Sequence, residues 1–237
     1  MENGATPART APAPVIVAVD GPSGTGKSST SKAVAARLGL SYLDTGAQYR
    51  AMTWWMITNG VDVTDAVAVA TAAGKPVLVS GTDPAGPTIT VDGTDASAPI
   101  RTQDVTAKVS AVSAVPELRA VVTELQRSIA AAAVNGIVVE GRDIGTTVLP
   151  DADVKIFLTA SPEARAARRS GELTGKEATD VAATKDALIK RDTADSSRRT
   201  SPLAKAGDAI EVDTTELTLQ QVVERVVALV EEKRAAR

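Results

Sequence analysis

The chain has 237 residues, 43% of them apolar, a formal net charge of −3, and neither histidine nor cysteine. Those two absences exclude a Ser-His-Asp or Cys-His site, a zinc centre built on imidazole or thiolate, and a disulfide framework. Only 2% of residues are aromatic, which with the acidic balance argues against a base-stacking platform or a surface that grips a polyphosphate backbone, so no nucleic-acid partner is expected.

No apolar run approaches the length of a membrane span, and the first residues lack the apolar stretch of a signal peptide. A cytoplasmic protein with no membrane partner is expected. Residues 1–14 are rich in Pro, Ala and Thr without periodicity and read as a flexible tail. Val15-Ile16-Val17-Ala18-Val19 is continuously apolar and β-branched, then breaks into a glycine-rich loop, as a buried parallel strand does. A helix is predicted from Ser28 to Leu38, stopped by Gly39.

Between Ser41 and Thr58, a short apolar piece and a glycine turn precede Tyr49, Met52, Trp54, Trp55 and Ile57 at roughly helical spacing. The two tryptophans are read as packing on a core. Residues 61–118 differ: Val77-Leu78-Val79 and Thr88-Ile89-Thr90-Val91 are β-rich and joined by turn chemistry, which predicts a hairpin inside an inserted subdomain. Glu117 to Ala133 reads as a helix, and Ile137-Val138-Val139 and Val154 to Leu158 as two more buried strands. From Asp213 to the end, Leu217, Leu219, Val222, Val223, Val226, Val227 and Val230 fall on one face of an amphipathic helix. Strands alternating with helices imply a parallel sheet covered on both faces.

Gly21-Pro22-Ser23-Gly24-Thr25-Gly26-Lys27-Ser28 fits G-x-x-x-x-G-K-[ST] between a predicted strand and a predicted helix, the context a phosphate loop requires. Its backbone N–H groups turn inward around phosphate oxygens, and the helix N-terminus adds partial positive charge at the same point. Lys27 then meets the β- and γ-phosphates, Ser28 offers its hydroxyl to Mg²⁺, and residues 21–29, Ser29 included, form an ATP site. The motif alone does not separate a kinase from a GTPase or an ATPase motor.

Arginines recur where loops meet the sheet edge: Arg50, Arg119, Arg142 beside Asp143, and Arg191, Arg198 and Arg199. Arg142 and Asp143 lie just beyond the Ile137 strand, at the carboxyl edge where ligands bind in open α/β sheets. Singly, each of these arginines reads first as a solvated surface charge; clustered at loops on one side, they read equally as ligand contacts, and they suit phosphate because the planar fork makes paired charge-assisted hydrogen bonds. Ser161 to Arg169 starts a helix bearing Arg165, Arg168 and Arg169, either an ordinary basic face or an arginine-bearing lid.

In order and spacing, GPSGTGKSS, LDTGAQYRA, IRTQDV, VEGRDIGTTVLPDADVKIFLTAS, ARAARR and KRDTADSSR followed by SPL resemble bacterial cytidylate kinases from about Val15 to the C-terminus. The resemblance implies a three-layer P-loop α/β fold with a central parallel sheet, an inserted NMP-binding subdomain and a LID. It divides the chain into CORE segments 15–60, 119–160 and 191–237, an insertion at 61–118 and a LID at 161–190.

It also places cytosine against Ser110, Arg119 and Asp143, the monophosphate against Arg50, Arg142 and Arg198, and ribose against Arg191 and Asp195. Thr45 and Tyr49 line the acceptor site, and the LID arginines are Arg165, Arg168 and Arg169. Two departures are a short segment from Gly171 to Thr184 without the charged LID pattern, and Gln48 where methionine or isoleucine is more usual.

The implied reaction is direct in-line transfer from ATP to CMP or dCMP by a monomeric Mg²⁺-dependent enzyme, with Lys27, Arg142, Arg165, Arg168 and Arg169 stabilising the moving charge. No phosphohistidine can form, and the acceptor phosphate, already ionised, needs no strong base. Glu140 is a candidate to orient a Mg²⁺ water. The alternatives are a kinase for UMP, AMP or a small non-nucleotide acceptor, and a non-catalytic nucleotide sensor.

Overall fold

Val15–Asp20 forms β1, the middle strand of a five-stranded sheet whose other members are β2 (Ser41–Asp44), β6 (Gly136–Glu140), β7 (Val154–Thr159) and β8 (Ile210–Asp213), in the order β2-β6-β1-β7-β8. Every pairing in it is parallel. This computed structural model describes residues 14–172 and 180–236. The tail expected at residues 1–14 lies, apart from Pro14, outside the described residues, as does half of the Gly171–Thr184 segment.

Alternation along β1 divides the core. Val15, Val17 and Val19 face a cluster with Val34 and Ala35 of α1 (Lys27–Leu38) and with Val222, Val223, Val226, Val227 and Val230 of α8 (Leu219–Ala235). Ala18 faces the opposite cluster, with Ile137, Val139, Ile144 and Ala130 of α5 (Pro116–Ala132). Helices therefore cover both faces, as the pattern predicts. Each of the five α8 valines contributes roughly 1.5–3 kcal/mol by leaving water, an upper estimate.

Chain ends of elements follow local chemistry. Gly39, in left-handed conformation, closes α1 through N–H bonds to Ala35 and Ala36 carbonyls. Asp44 caps α2 (Thr45–Thr58) by accepting from the Ala47 N–H. Gly46 therefore sits in the first turn of α2 and not in the expected turn before it. Trp54 and Trp55 pack on the insertion's core as expected, and the Trp55 indole N–H also donates to Asp92.

The C-terminal expectation needs correction. Asp213 ends an edge strand rather than beginning a helix, and α8 starts six residues later behind a Thr218–Gln221 capping box. Leu219 is half exposed and does not share the apolar face, while Leu217 packs against the core from the preceding loop. β8 buries only Val212 fully, so four residues carried too little pattern to be read as a strand.

The insertion holds the expected hairpin, β3 (Leu78–Ser80) with β4 (Ile89–Val91), plus a short third strand, β5 (Thr94–Asp95). It also has α3 (Ala66–Ala72) and α4 (Gln103–Val112), which the sequence does not announce. Val63, Val69, Val109 and Val112 share one cluster with Met52 and Met56 of α2 and Leu118 and Val122 of α5, so residues 61–118 pack directly on the helices that carry the site. Beyond β7, α6 (Pro162–Glu172) packs on α7 (Val181–Ser196). The second of these was not predicted as a helix.

Candidate active site

The carboxyl ends of β1, β2 and β6 align, with Val19 beside Glu140 and Glu140 beside Asp44. A cleft of about 350 Å³ opens there. The loop leaving β1 passes so close to β7 that a Cβ on Gly21 would lie 2.2 Å from the Leu158 carbonyl oxygen, and its φ of 145° also demands glycine. Glycine is thus required by backbone contact as well as by phosphate approach.

Lys27 opens α1 and is buried, its ammonium donating to the Pro22 carbonyl at 2.5 Å. Burial, then the neighbouring Arg142 charge, pulls its pKa well below the usual lysine value. Across from it, burial and the Asp44 charge push Glu140 up to about 7, against the pull of Lys27. The Tyr42 hydroxyl donates to Glu140 Oε1 at 2.5 Å, and burial pushes that phenol upward. Thr45 Oγ1 donates to the Glu140 carbonyl at 2.7 Å, fixing the start of α2 to the end of β6.

The other side of the cleft is built by β6, α5 and α7. Arg119 Nη2 donates to Asp143 Oδ2 at 2.6 Å and Nη1 to the Ser113 carbonyl at 3.1 Å. The Arg119 guanidinium also lies 5.1 Å from the Tyr49 ring centroid. Arg142 donates through Nε to Asp195 and through Nη2 to Ser23 Oγ, while Arg198 bonds the Asp195 carbonyl and Ser113 Oγ.

Burial lowers Arg191 to about 9, with Arg142 and Arg50 adding repulsion. It lowers Arg50 and Arg198 in the same direction. Arg191 Nε and Arg198 Nη2 are buried with no hydrogen-bond partner among the described residues. Buried donors of that kind call for an anionic acceptor.

Of the predicted residues, the structure brings Ser23, Gly24, Gly26, Lys27, Ser28, Ser29, Thr45, Tyr49, Arg50, Ser110, Arg119, Arg142, Asp143, Arg169, Arg191, Asp195 and Arg198 to one cleft. Gly21, Pro22 and Thr25 belong to the loop but do not line the cleft, and Thr25 Oγ1 donates to the Pro22 carbonyl at 3.1 Å. Arg165 and Arg168, expected as LID arginines, do not line the cleft and are engaged elsewhere. Arg168 is spent on Thr214, through Nη1 to the hydroxyl at 2.9 Å and Nη2 to the carbonyl at 2.5 Å. Arg165 is tied to the Ser23 carbonyl and to Asp192.

The sequence reading missed Lys32, Arg101, Asp44 and Ser113, all of which line the cleft. Lys32 stands five residues beyond Lys27 on α1, a spacing available in the sequence. Arg101 arrives only through the fold of the insertion. In all, nine cations and four carboxylates line the cleft, so the net −3 of the chain conceals a site strongly biased towards anions.

Such a site, with a phosphate loop on one wall and a buried Arg–Asp pair on the other, suits two nucleotides held end to end. A family model described as cytidylate kinase matches residues 17–232. Proteins named cytidylate kinase from Streptomyces avermitilis and Streptomyces coelicolor are 77% and 79% identical over 237 residues, with all of both chains covered. One of the same name from Nocardia farcinica is 52% identical over 219 residues, covering 91% of this chain and 94% of its own. The chain belongs to the cytidylate kinase family.

Proposed function

We propose that this protein transfers the γ-phosphoryl group of ATP to CMP and dCMP, giving CDP and dCDP by direct in-line displacement. The observation that carries the acceptor assignment is the Arg119–Asp143 pair, placed with Ser110 in the same cleft as the arginine cluster. Cytosine presents an amino donor at C4 and acceptors at N3 and O2. A carboxylate can accept from the amino group while Arg119 and Ser110 donate to the acceptors. Uracil has a carbonyl at C4, which would face the Asp143 carboxylate and be repelled.

The donor end is the loop from Ser23 to Ser28, whose amides and helix N-terminus hold the ATP phosphates. Lys27, protonated when phosphate oxygens face it, binds the transferring group, with Arg142 and Arg169 on the acceptor side. Arg50, Arg142 and Arg198 hold the CMP phosphate, and Arg191 and Asp195 face its ribose. Catalysis is then positioning plus electrostatic stabilisation.

Ser28, Glu140 and Asp44 offer hard oxygen donors around the same point, which fits a Mg²⁺ ion that keeps several waters and takes its other ligands from phosphate. No group of three or more acidic side chains that could hold a metal without substrate is found among the described residues. When bound, Mg²⁺ supplies charge neutralisation at the phosphates. A monomeric state and a cytoplasmic location belong to the same proposal. Among the described residues no helix is long and apolar enough to cross a membrane.

The test is ADP formation from ATP and Mg²⁺ with CMP, dCMP, UMP, AMP and GMP supplied separately. CMP and dCMP should be the preferred acceptors; no monophosphate-dependent ADP, or a preference for AMP, would remove the reading.

A further inference from the structure

Ser23 is held on two sides, by Arg142 and by Asp192 with Arg165. From the cleft side, Arg142 Nη2 donates to Ser23 Oγ at 2.6 Å, and the same guanidinium donates through Nε to Asp195 of α7 at 3.0 Å. On the far side, the Ser23 N–H donates to Asp192 Oδ1 at 3.0 Å, and the Ser23 carbonyl accepts from Arg165 Nη1 at 3.0 Å. Arg165 is ion-paired with Asp192 in turn. Asp192 and Asp195 are less than one turn apart on α7, so that helix holds Ser23 directly through Asp192 and indirectly, by way of Arg142, through Asp195. The next residue, Gly24, touches the Arg165 backbone closely enough that a Cβ there would be 3.1 Å from Arg165 Cβ. Arg165 and Asp192 lie outside the cleft, lining a separate shallow groove behind the loop.

We propose that Ser23 is a positioning residue that couples the two substrate sites: its hydroxyl, held by Arg142, transmits acceptor-phosphate binding to the donor loop, while Asp192 and Arg165 clamp its peptide so that the restraint passes into the loop. The inference rests on the kinase reading and deepens it. Arg142 Nη1 bonds the carbonyl of the adjacent Gly141, at 3.2 Å. Nη1 carries a second N–H, which a phosphate oxygen can accept while Nη2 stays on Ser23 and Nε on Asp195. A bound CMP phosphate thereby immobilises Arg142 and, through it, Ser23. ATP then meets a loop whose ordering cost has already been met, and linkage makes the effect reciprocal. The sign of the coupling is therefore positive.

The test is calorimetric binding of CMP to the full-length protein with Mg²⁺, in the absence and presence of saturating AMP-PNP. For the wild type, AMP-PNP should tighten CMP binding at least about fivefold, the lower end of ordinary site–site coupling. Ser23→Ala keeps both backbone bonds and removes only the hydroxyl, and should bring that ratio to within about twofold of one. Arg142→Lys keeps the charge but cannot hold Ser23 and Asp195 together, and should also lose the coupling, whatever it does to CMP affinity itself. The ratio is the readout because loosened packing alone would weaken both binary complexes without changing it. A wild type that binds both nucleotides without coupling, or either variant retaining the full ratio, would overturn the inference. A wild type that binds neither CMP nor AMP-PNP would instead overturn the kinase reading on which it rests.

Discussion

Arg119 and Asp143 form an ion pair of 2.6 Å in which both side chains are at most 6% exposed. The pair is further tied to the Ser113 carbonyl and stacked beside Tyr49. Taking two charges out of water is costly, and pairing of this kind is weak evidence for stability alone. Its place at the wall of the cleft fits the base-reading role proposed for it.

Asp143→Ala should separate these roles. Lost base recognition should lower kcat/KM for CMP by two orders of magnitude or more, while the affinity for ATP changes less than about threefold. Arg119, left buried with one carbonyl acceptor, should also cost the fold about 3 kcal/mol in urea unfolding. Equal losses towards both nucleotides would count against the assignment.

The two neighbouring arginines of α6 should behave differently. Arg168 is engaged by Thr214, whereas Arg169 lines the cleft. Arg169→Ala should reduce kcat tenfold or more. Arg168→Ala should leave kcat within about threefold and lower the melting temperature, because it leaves the Thr214 carbonyl without that donor. Steady-state kinetics paired with thermal unfolding distinguishes them.

Asp20 accepts from the Ile144 and Gly145 N–H groups, each at 2.8 Å, and so ties the end of β1 to the loop that carries Asp143. Burial nevertheless raises its carboxyl to about 6 from 3.8, those bonds opposing the rise. Because the folded form holds its proton to higher pH than the unfolded chain, the favourable contribution is present below pH 4 and is lost as pH rises to 6. Relative to Asp20→Asn, which does not titrate, the wild type should therefore lose stability across that window, on the order of 2–3 kcal/mol in all. Urea unfolding of both proteins at pH 4, 5, 6 and 7 measures it; parallel curves would contradict the account.

Gly21→Ala places a methyl group 2.2 Å from the Leu158 carbonyl oxygen at a φ that side chains rarely adopt. The loop and β7 must separate, so unfolding free energy should fall by about 3 kcal/mol, with ATP affinity falling as well. Denaturant unfolding and nucleotide titration would both show it.

What the sequence made legible follows the strength of local pattern. β1, the phosphate loop, α1, β6 and β7 are long or continuously apolar, and each is found where periodicity and glycine placement put it. β2, β5 and β8 have two to four residues, and α3 has seven, too few for a period to declare itself. In the site, Arg142 and Asp143 were readable because they follow a buried strand. Arg101 and Ser113 were not, because the insertion folds onto α2 to bring them in. Arg165 and Arg168 show the limit most plainly: three arginines within one helix look equivalent in sequence, and only packing against Ser23 and Thr214 distinguishes two of them from Arg169.

The central claim is that the Asp143 carboxylate selects the amino face of cytosine. The ratio of kcat/KM for CMP to that for UMP, measured in the wild type and in Asp143→Asn, tests it most directly. The wild type should favour CMP by about a hundredfold or more, and the asparagine, able to donate to the uracil carbonyl, should cut that ratio at least tenfold. A wild type that uses UMP as readily as CMP, or a ratio unchanged by Asp143→Asn, would contradict it.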